Sequence, residues 1–220
     1  MIVTIDGPAG TGKSTVAKCL AERLGFEFLN TGAMYRAVAY ACLQRELNLT
    51  DEASVEEVAK GLQIVFSESR LLLGGADVTD AIRTQTVTRS VPIVAANPAV
   101  RRQLVQLQQI VGRTSNLVTE GRDQGTDVFP NAECKFFLTA SPRERARRRQ
   151  LELKGKGEIV SLEDLLEQQQ RRDRLDESRA CSPLQPASDA LLVDTTEMSL
   201  DEVSNHLEII AKRALNLGTA

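Results

Sequence analysis

The chain opens on Ile2-Val3-Thr4-Ile5, a short apolar run with β-branched residues closed by Asp6, and this pattern predicts a strand. Apolar positions then recur at Val16, Leu20 and Leu24, the spacing of an amphipathic helix ending near Leu24-Gly25. Phe26 to Leu29 alternates as a second strand. Thr31-Gly32 opens a helix to about Leu47, with Met34, Val38, Ala41, Cys42 and Leu47 on its apolar side. Ser54 and Glu57 have capping-box spacing for a helix to about Lys60. Gln63 to Phe66 and Arg70 to Leu73 predict a hairpin closed by Ser67-Glu68-Ser69, and Gly74-Gly75 a further turn. Short helices through Ala96 complete a stretch that interrupts the βα alternation, as an insertion would.

Asn97-Pro98 is a cap followed by proline at the first helical position, starting a helix to about Gly112. Asn116 to Thr119 and Lys135 to Thr139 predict strands. Ser141-Pro142-Arg143-Glu144 combines a capping box with proline and starts a helix to about Lys154. After Gly155-Lys156-Gly157, Ser161 to Asp164 opens a long polar helix to near Arg179. Ala190 to Val193 is a last strand, and Ser199 with Glu202 caps a terminal helix with the stripe Val203, Leu207, Ile210 and Ala214. Strands alternating with helices imply an α/β fold with a mostly parallel sheet covered on both faces. Ligands of such sheets bind at the carboxyl ends of the strands. Three stretches occupy such ends: the glycine-rich turn after Asp6, Thr31, and Gly121-Arg122-Asp123. They are expected to converge on one cleft.

The glycine-rich turn changes the picture most. Gly7-Pro8-Ala9-Gly10-Thr11-Gly12-Lys13-Ser14-Thr15 carries the complete G-x-x-x-x-G-K-S spacing between a strand and a helix. Its glycines let backbone N–H groups converge on phosphates, and the helix N-terminus adds favourable partial charge. Lys13 would reach the β- and γ-phosphates, and the Ser14 hydroxyl would ligate Mg²⁺.

At 220 residues the chain is sized for one domain with a small insertion, and 42% hydrophobic with 26% charged residues is a globular composition. A net charge of −3 argues against general nucleic-acid affinity. The cations are 20 arginines against 7 lysines, and nine of the arginines fall between Arg143 and Arg179. Arginine makes bidentate phosphate contacts, so a local cluster in an acidic chain points to a phosphate-rich small ligand. The four cysteines are far apart and form no C-x-x-C pair, no leader precedes the first strand, and no apolar run approaches membrane-spanning length. A reducing cytoplasm is expected, with Cys19 and Cys42 buried. The single histidine, His206, is remote from every motif and is expected on the surface of the last helix.

Arg145, Arg148 and Arg149 share one helix face, either as a solvated basic surface or as part of a site. Arg172, Asp176 and Arg179 share another, with Asp173 beside them: a surface ion-pair ladder, or a mobile arginine-bearing lid hinged at the flanking glycines. Thr31 is either a helix cap or, with Arg36 one turn on, half of a hydroxyl-and-guanidinium pair for a second phosphate. Asp123 either braces its loop or, beside Arg122, meets a polar ligand.

Taken together, Gly7 to Thr15, Thr31 to Arg36, Asp80-Ala-Ile-Arg83-Thr84, Val100-Arg101, Glu120 to Asp123 with Gly125-Thr126, Glu144 to Arg149, and Arg172-Asp173-x-x-Asp176-x-x-Arg179 resemble the bacterial cytidylate kinases, in order and over nearly the whole chain. The resemblance implies a P-loop NTPase-like, five-stranded parallel sheet flanked by helices. It implies a core of residues 1–60, 97–150 and 185–220, an insertion for the monophosphate at about 61–96 and a lid at about 151–182. It implies ATP-dependent, Mg²⁺-assisted phosphorylation of CMP and dCMP by a cytoplasmic monomer that binds neither nucleic acid nor membrane. Arg36, Arg122 and Arg179 would then hold the acceptor phosphate, Arg101 and Asp123 the cytosine, and Arg172 with Asp176 the ribose. Arg148 would lie towards ATP, and Lys13, Arg172 and Arg179 would carry the transfer. One departure stands out: where the family has a base-contacting serine two residues before Val94-Ala95, this chain has Pro92, with Ser90 two positions earlier.

The chemistry is self-consistent. A monophosphate with a second pKa near 6 is already anionic at neutral pH, so no general base is required. Catalysis reduces to aligning two phosphates and neutralising charge, while lid closure excludes water. The competing enzyme reading is a P-loop kinase for UMP, AMP or a sugar acid. A nucleotide-dependent switch is the other class, and the D-x-x-G and N/T-K-x-D signals it needs are absent from the sequence.

Overall fold

The computed structural model describes residues 1–67, 70–155 and 157–217. Five strands form the main sheet: β1 (Ile2–Asp6), β2 (Glu27–Asn30), β6 (Leu117–Glu120), β7 (Cys134–Thr139) and β8 (Leu191–Asp194), in the order β2-β6-β1-β7-β8. The pairs are parallel, with Ile5 opposite Glu120 and Phe136 on its two sides. Parallel neighbours cannot be joined by hairpins, so helices make the crossovers and cover the faces. Val3, Ile5, Val118, Phe136 and Leu138 of the sheet are buried against Val16, Ala17 and Leu20 of α1 (Lys13–Leu24) and Val203 and Leu207 of α8 (Leu200–Ala214). The parallel α/β sheet expected from the sequence is therefore present.

The chain divides into two compact units, Met1–Leu29 with Val111–Ala220, and Asn30–Ile110. The first holds the sheet with α1, α6 (Pro142–Gly155), α7 (Leu162–Glu177) and α8. Ala146 and Leu153 of α6 pack on Leu165 of α7 as a small core of their own. The second holds α2 (Thr31–Gln44), α3 (Glu52–Gly61), α4 (Gln85–Ala96) and most of α5 (Pro98–Thr114). It also holds an antiparallel sheet of β3 (Ile64–Ser67), β4 (Arg70–Leu73) and the short β5 (Ala76–Asp77). The hairpin is present with this extra strand, whereas Glu68 and Ser69 of its turn lie outside the described residues. Leu71, Val78 and Ile82 close on Ala33 and Ala37 of α2 to form the second unit's core.

Several helix ends differ from the expectation. Thr31 is the first helical residue and not the cap, since Asn30 Oδ1 accepts from the Ala33 amide at 2.9 Å. Asp51, not Ser54, caps α3: its carboxylate accepts from the Ser54 amide at 3.3 Å and the Ser54 hydroxyl at 2.6 Å. A carboxylate suits the positive helix end better than a hydroxyl, and takes the role one turn earlier. Glu144 leaves the Ser141 capping box half-made because Arg147 and Arg148 bind its carboxylate at 2.7 and 2.9 Å. Ala214 is exposed, and Ala211 and Leu215 complete the stripe of α8. Cys42 is buried but Cys19 only half-buried, all four thiols are free, and His206 is exposed. Among the described residues no helix is long and apolar enough to cross a membrane.

Candidate active site

Between β1 and α1 the chain turns under Leu138. Gly7 adopts φ +139°, and a Cβ there would lie 2.1 Å from the Leu138 carbonyl oxygen, so only glycine lets the loop pass. At Gly10 a Cβ would meet Gln169 Nε2 at 2.8 Å and Arg145 Cβ at 3.0 Å, so α6 and α7 reach down to the loop itself. No side chain caps α1 at Gly12, and ahead of Thr15, whose amide donates to Gly12 O at 3.1 Å, the first-turn amides are placed for an external acceptor such as phosphate. Lys13 is 5% exposed, and its Nζ donates to the Pro8 carbonyl at 2.5 Å and Thr11 Oγ1 at 3.4 Å. Burial, then the Arg122 charge, holds its pKa well below the usual lysine value, with Glu120 acting in the opposite sense.

Three arginines on α6 go to different places and form no common solvated face. Arg145 is 5% exposed and donates to Ala9 O at 2.9 Å and Ala140 O at 3.1 Å, while Asp173 of α7 binds it at 2.7 Å. Arg148 donates to Thr11 O at 3.3 Å and to both oxygens of Thr195. Arg149 turns away to Glu152. On α7, Asp176 accepts from Arg122 Nε at 2.8 Å and faces Arg179 Nη2 at 3.7 Å. Burial works against the Asp176 charge, yet Arg122, Arg172 and Arg179 together hold its pKa below the usual carboxylate value. Asp176 is thus a buried carboxylate among half-buried arginines and not a rung of a surface ladder, and Arg179 lies just past the helix end, off the shared helix face expected for it.

The loop after β6 is folded tightly. Asp123 is 4% exposed, and Gln124–Val128 form a single π-helical turn. Asp6, at the end of β1, accepts the Gln124 amide on Oδ1 at 2.9 Å and the Gly125 amide on Oδ2 at 2.8 Å. Burial, helped by the Asp123 charge, outweighs these two donors and pushes the Asp6 pKa up to about 7. Ser14 donates to Glu120 Oε1 at 3.0 Å, joining the P-loop hydroxyl to a strand-end carboxylate on the neighbouring strand.

In the second unit, Thr31 is buried, and Arg36 lies beside Gly32, whose Cβ would be 3.3 Å from Arg36 Nη1. Arg101 is 4% exposed, with its guanidinium 5.7 Å from the Tyr35 ring centroid and Nη1 donating to Ala95 O at 3.4 Å. Pro92 lies inside α4, and the Ser90 hydroxyl donates to Thr86 O at 3.0 Å within the same helix.

A family model described as Cytidylate kinase matches residues 3–213. The chain belongs to the cytidylate kinase family. A cytidylate kinase of Rhodopirellula baltica is 44% identical over 220 residues, covering 100% of this chain and 96% of that one. One from Pseudomonas fluorescens is 48% identical over 92% of this chain and 91% of its own, and one from Desulfitobacterium hafniense 47% over 93% and 90%. Among solved structures, an uncharacterized protein from Eubacterium ventriosum shares the fold with a TM-score of 0.51 at 13% identity, over 97% of this chain and 98% of that chain.

For a cytidylate kinase, two carboxylates at the phosphate loop have no role that the sequence alone assigns. Glu120 and Asp6 are carboxylates at the ends of adjacent strands, and only the register that sets Ile5 opposite Glu120 brings both to the P-loop. Arg145 shares its spacing with Arg148 and Arg149 in the sequence, and only its burial and its bond to Ala9 O set it apart from them.

Proposed function

We propose that this cytidylate kinase family member transfers the γ-phosphoryl group of ATP to CMP and dCMP, giving ADP with CDP or dCDP. The observation that carries the reading is the arginine and carboxylate cluster of Arg122, Arg172, Asp176 and Arg179, in which Arg122 binds Asp176 at 2.8 Å and the charges of Arg122 and Arg172 bear on Lys13 of the P-loop. Residues Gly7 to Thr15 hold the donor phosphates through backbone amides and Lys13, with Arg148 on the ATP side. Thr31, Arg36, Arg122 and Arg179 hold the acceptor phosphate, Arg101 and Asp123 the cytosine, and Arg172 with Asp176 the ribose. Lys13, Arg172 and Arg179 neutralise charge as it moves between the two phosphates.

The Ser14 hydroxyl and Glu120, 3.0 Å apart, are hard oxygen donors of the kind Mg²⁺ takes alongside substrate phosphates, and they fit that ion. Mg²⁺ held by these residues would supply charge neutralisation on the donor phosphates. Residues 61–96 act as the monophosphate-binding insertion and 151–182 as the lid on a core formed by the rest. The enzyme works as a cytoplasmic monomer without nucleic-acid or membrane partners.

The test is a coupled assay of ADP release across CMP, dCMP, UMP, dUMP, AMP and GMP at fixed ATP and Mg²⁺. CMP and dCMP are expected to give the highest kcat/KM. Turnover of AMP, GMP or UMP in preference to both would reject the reading.

A further inference from the structure

The loop Gly121–Asp127, which carries Arg122 and Asp123, continues the backbone ladder to β1 only through the Gly121 amide, which donates to Ile5 O at 3.1 Å. Beyond Gly121 the tie to β1 passes to a side chain. Asp6 is 4% exposed, and its two carboxylate oxygens accept consecutive amides of that loop, Gln124 at 2.9 Å and Gly125 at 2.8 Å. The next residue in the chain is Gly7, the first of the P-loop, wedged under Leu138 O. A bidentate carboxylate fixes both the distance and the rotation of the loop, which a single hydrogen bond does not. The loop can come this close because residue 125 lacks a side chain: a Cβ there would lie 3.0 Å from Thr4 Oγ1, 3.2 Å from Lys135 Cδ and 3.4 Å from Asp6 Oδ2. From the other side the Thr119 hydroxyl holds Gln124 Oε1 at 2.8 Å, so the amides face Asp6 in one orientation.

We infer that Asp6 is a positioning residue that sets the acceptor-binding loop in register with the P-loop, and so fixes the acceptor relative to the donor phosphates without touching either. This rests on the reading of Arg122 and Asp123 as acceptor contacts. Its signature is a split between substrates: loss of the tie shifts the acceptor loop and leaves the phosphate loop, held separately by Leu138, Arg145 and Arg148, in place.

Two variants of the full chain test it by different routes. Asp6→Asn keeps the shape but sets an N–H₂ group against one of the two amides. Gly125→Ala keeps the carboxylate and pushes the loop outward. Both are expected to raise KM for CMP by about tenfold with KM for ATP within about twofold, the scale of a small misplacement of a reacting group. Amide hydrogen exchange at Gln124 and Gly125 is expected to quicken in both. An equal rise in the two KM values, or unchanged CMP kinetics with unchanged exchange, would overturn the positioning role. Wild-type protein that prefers another acceptor would instead reject the assignment of CMP, and the split between that acceptor and ATP, with the exchange data, still decides the role of Asp6.

Discussion

Lys13 is a cation with almost no water around it, held by a carbonyl and a hydroxyl of its own loop and pressed by the charges of Arg122 and Arg172. A donor phosphate at the loop relieves that electrostatic pressure, so much of the side chain's worth is realised only with substrate present. Lys13→Ala is expected to lower kcat by about 10²–10³, the loss of one preorganised charge partner, with the circular dichroism spectrum unchanged. A folded variant keeping most of its kcat would remove Lys13 from the transfer step. On the proposed reading Asp123 serves base choice, since a carboxylate accepts from the amino group of cytosine and would meet the carbonyl of uracil lone pair to lone pair. Asp123→Ala is expected to narrow the CMP over UMP preference in kcat/KM by about tenfold. Equal loss on both substrates would make Asp123 a loop brace only. The P-loop was legible because phosphate binding demands its residues in one contiguous run. Asp6 and Glu120 were not, because a strand-end carboxylate looks like an ordinary turn residue until the parallel register is known.

Elements were read most reliably where period and cap agreed. Helix α8 begins at Ser199 with both halves of its capping box made, Ser199 Oγ accepting from the Glu202 amide at 3.3 Å and Glu202 accepting from the Ser199 amide at 2.8 Å. Helix α3 shows how a cap motif misleads: Ser54-x-x-Glu57 has the right spacing, yet the helix already began at Glu52. Asp51→Ala is expected to cost about 1 kcal/mol of stability in urea unfolding, whereas Glu57→Gln should change it little. Reversal of that order would restore the reading of Ser54 and Glu57 as the helix start. The hairpin of β3 and β4 was legible from its alternation. The two-residue β5 was not, since Ala76-Asp77 carries no period of its own and owes its strand to backbone pairing with Leu72 and Leu73.

For the whole molecule, the proton balance sets how stability varies with pH. Burial pushes the Asp6 pKa up to about 7 in the folded state, against the two amide donors that favour its charged form, from an ordinary value of 3.8. Between those values the folded chain keeps a proton that the unfolded chain has released, so stability falls as pH rises, by at most about 1.4 kcal/mol per unit. Glu144 acts with the opposite sign: its bond to Arg147 and, next, to Arg148 draws its pKa down to about 2, and that stabilisation is lost as pH falls from the ordinary value of 4.5 towards 2. Asp176 is also lowered and loses its contribution on the acid side. Urea unfolding from pH 4 to 8 is therefore expected to show a downward slope towards neutrality that Asp6→Asn flattens. An identical slope in the variant would mean that other groups set it.

The Arg122–Asp176 bond has a consequence for turnover. On the proposed role of Arg122, an acceptor phosphate meets a guanidinium whose Nε already holds a carboxylate 2.8 Å away, so it either shares the arginine with Asp176 or displaces it. Its net gain is the difference between two partners, far smaller than the attraction of a bare buried cation. Where Asp176 is displaced, the same exchange run backwards would help a product leave, since the carboxylate stands ready to reclaim the arginine. Tight capture would be given up for a quick return to the starting arrangement.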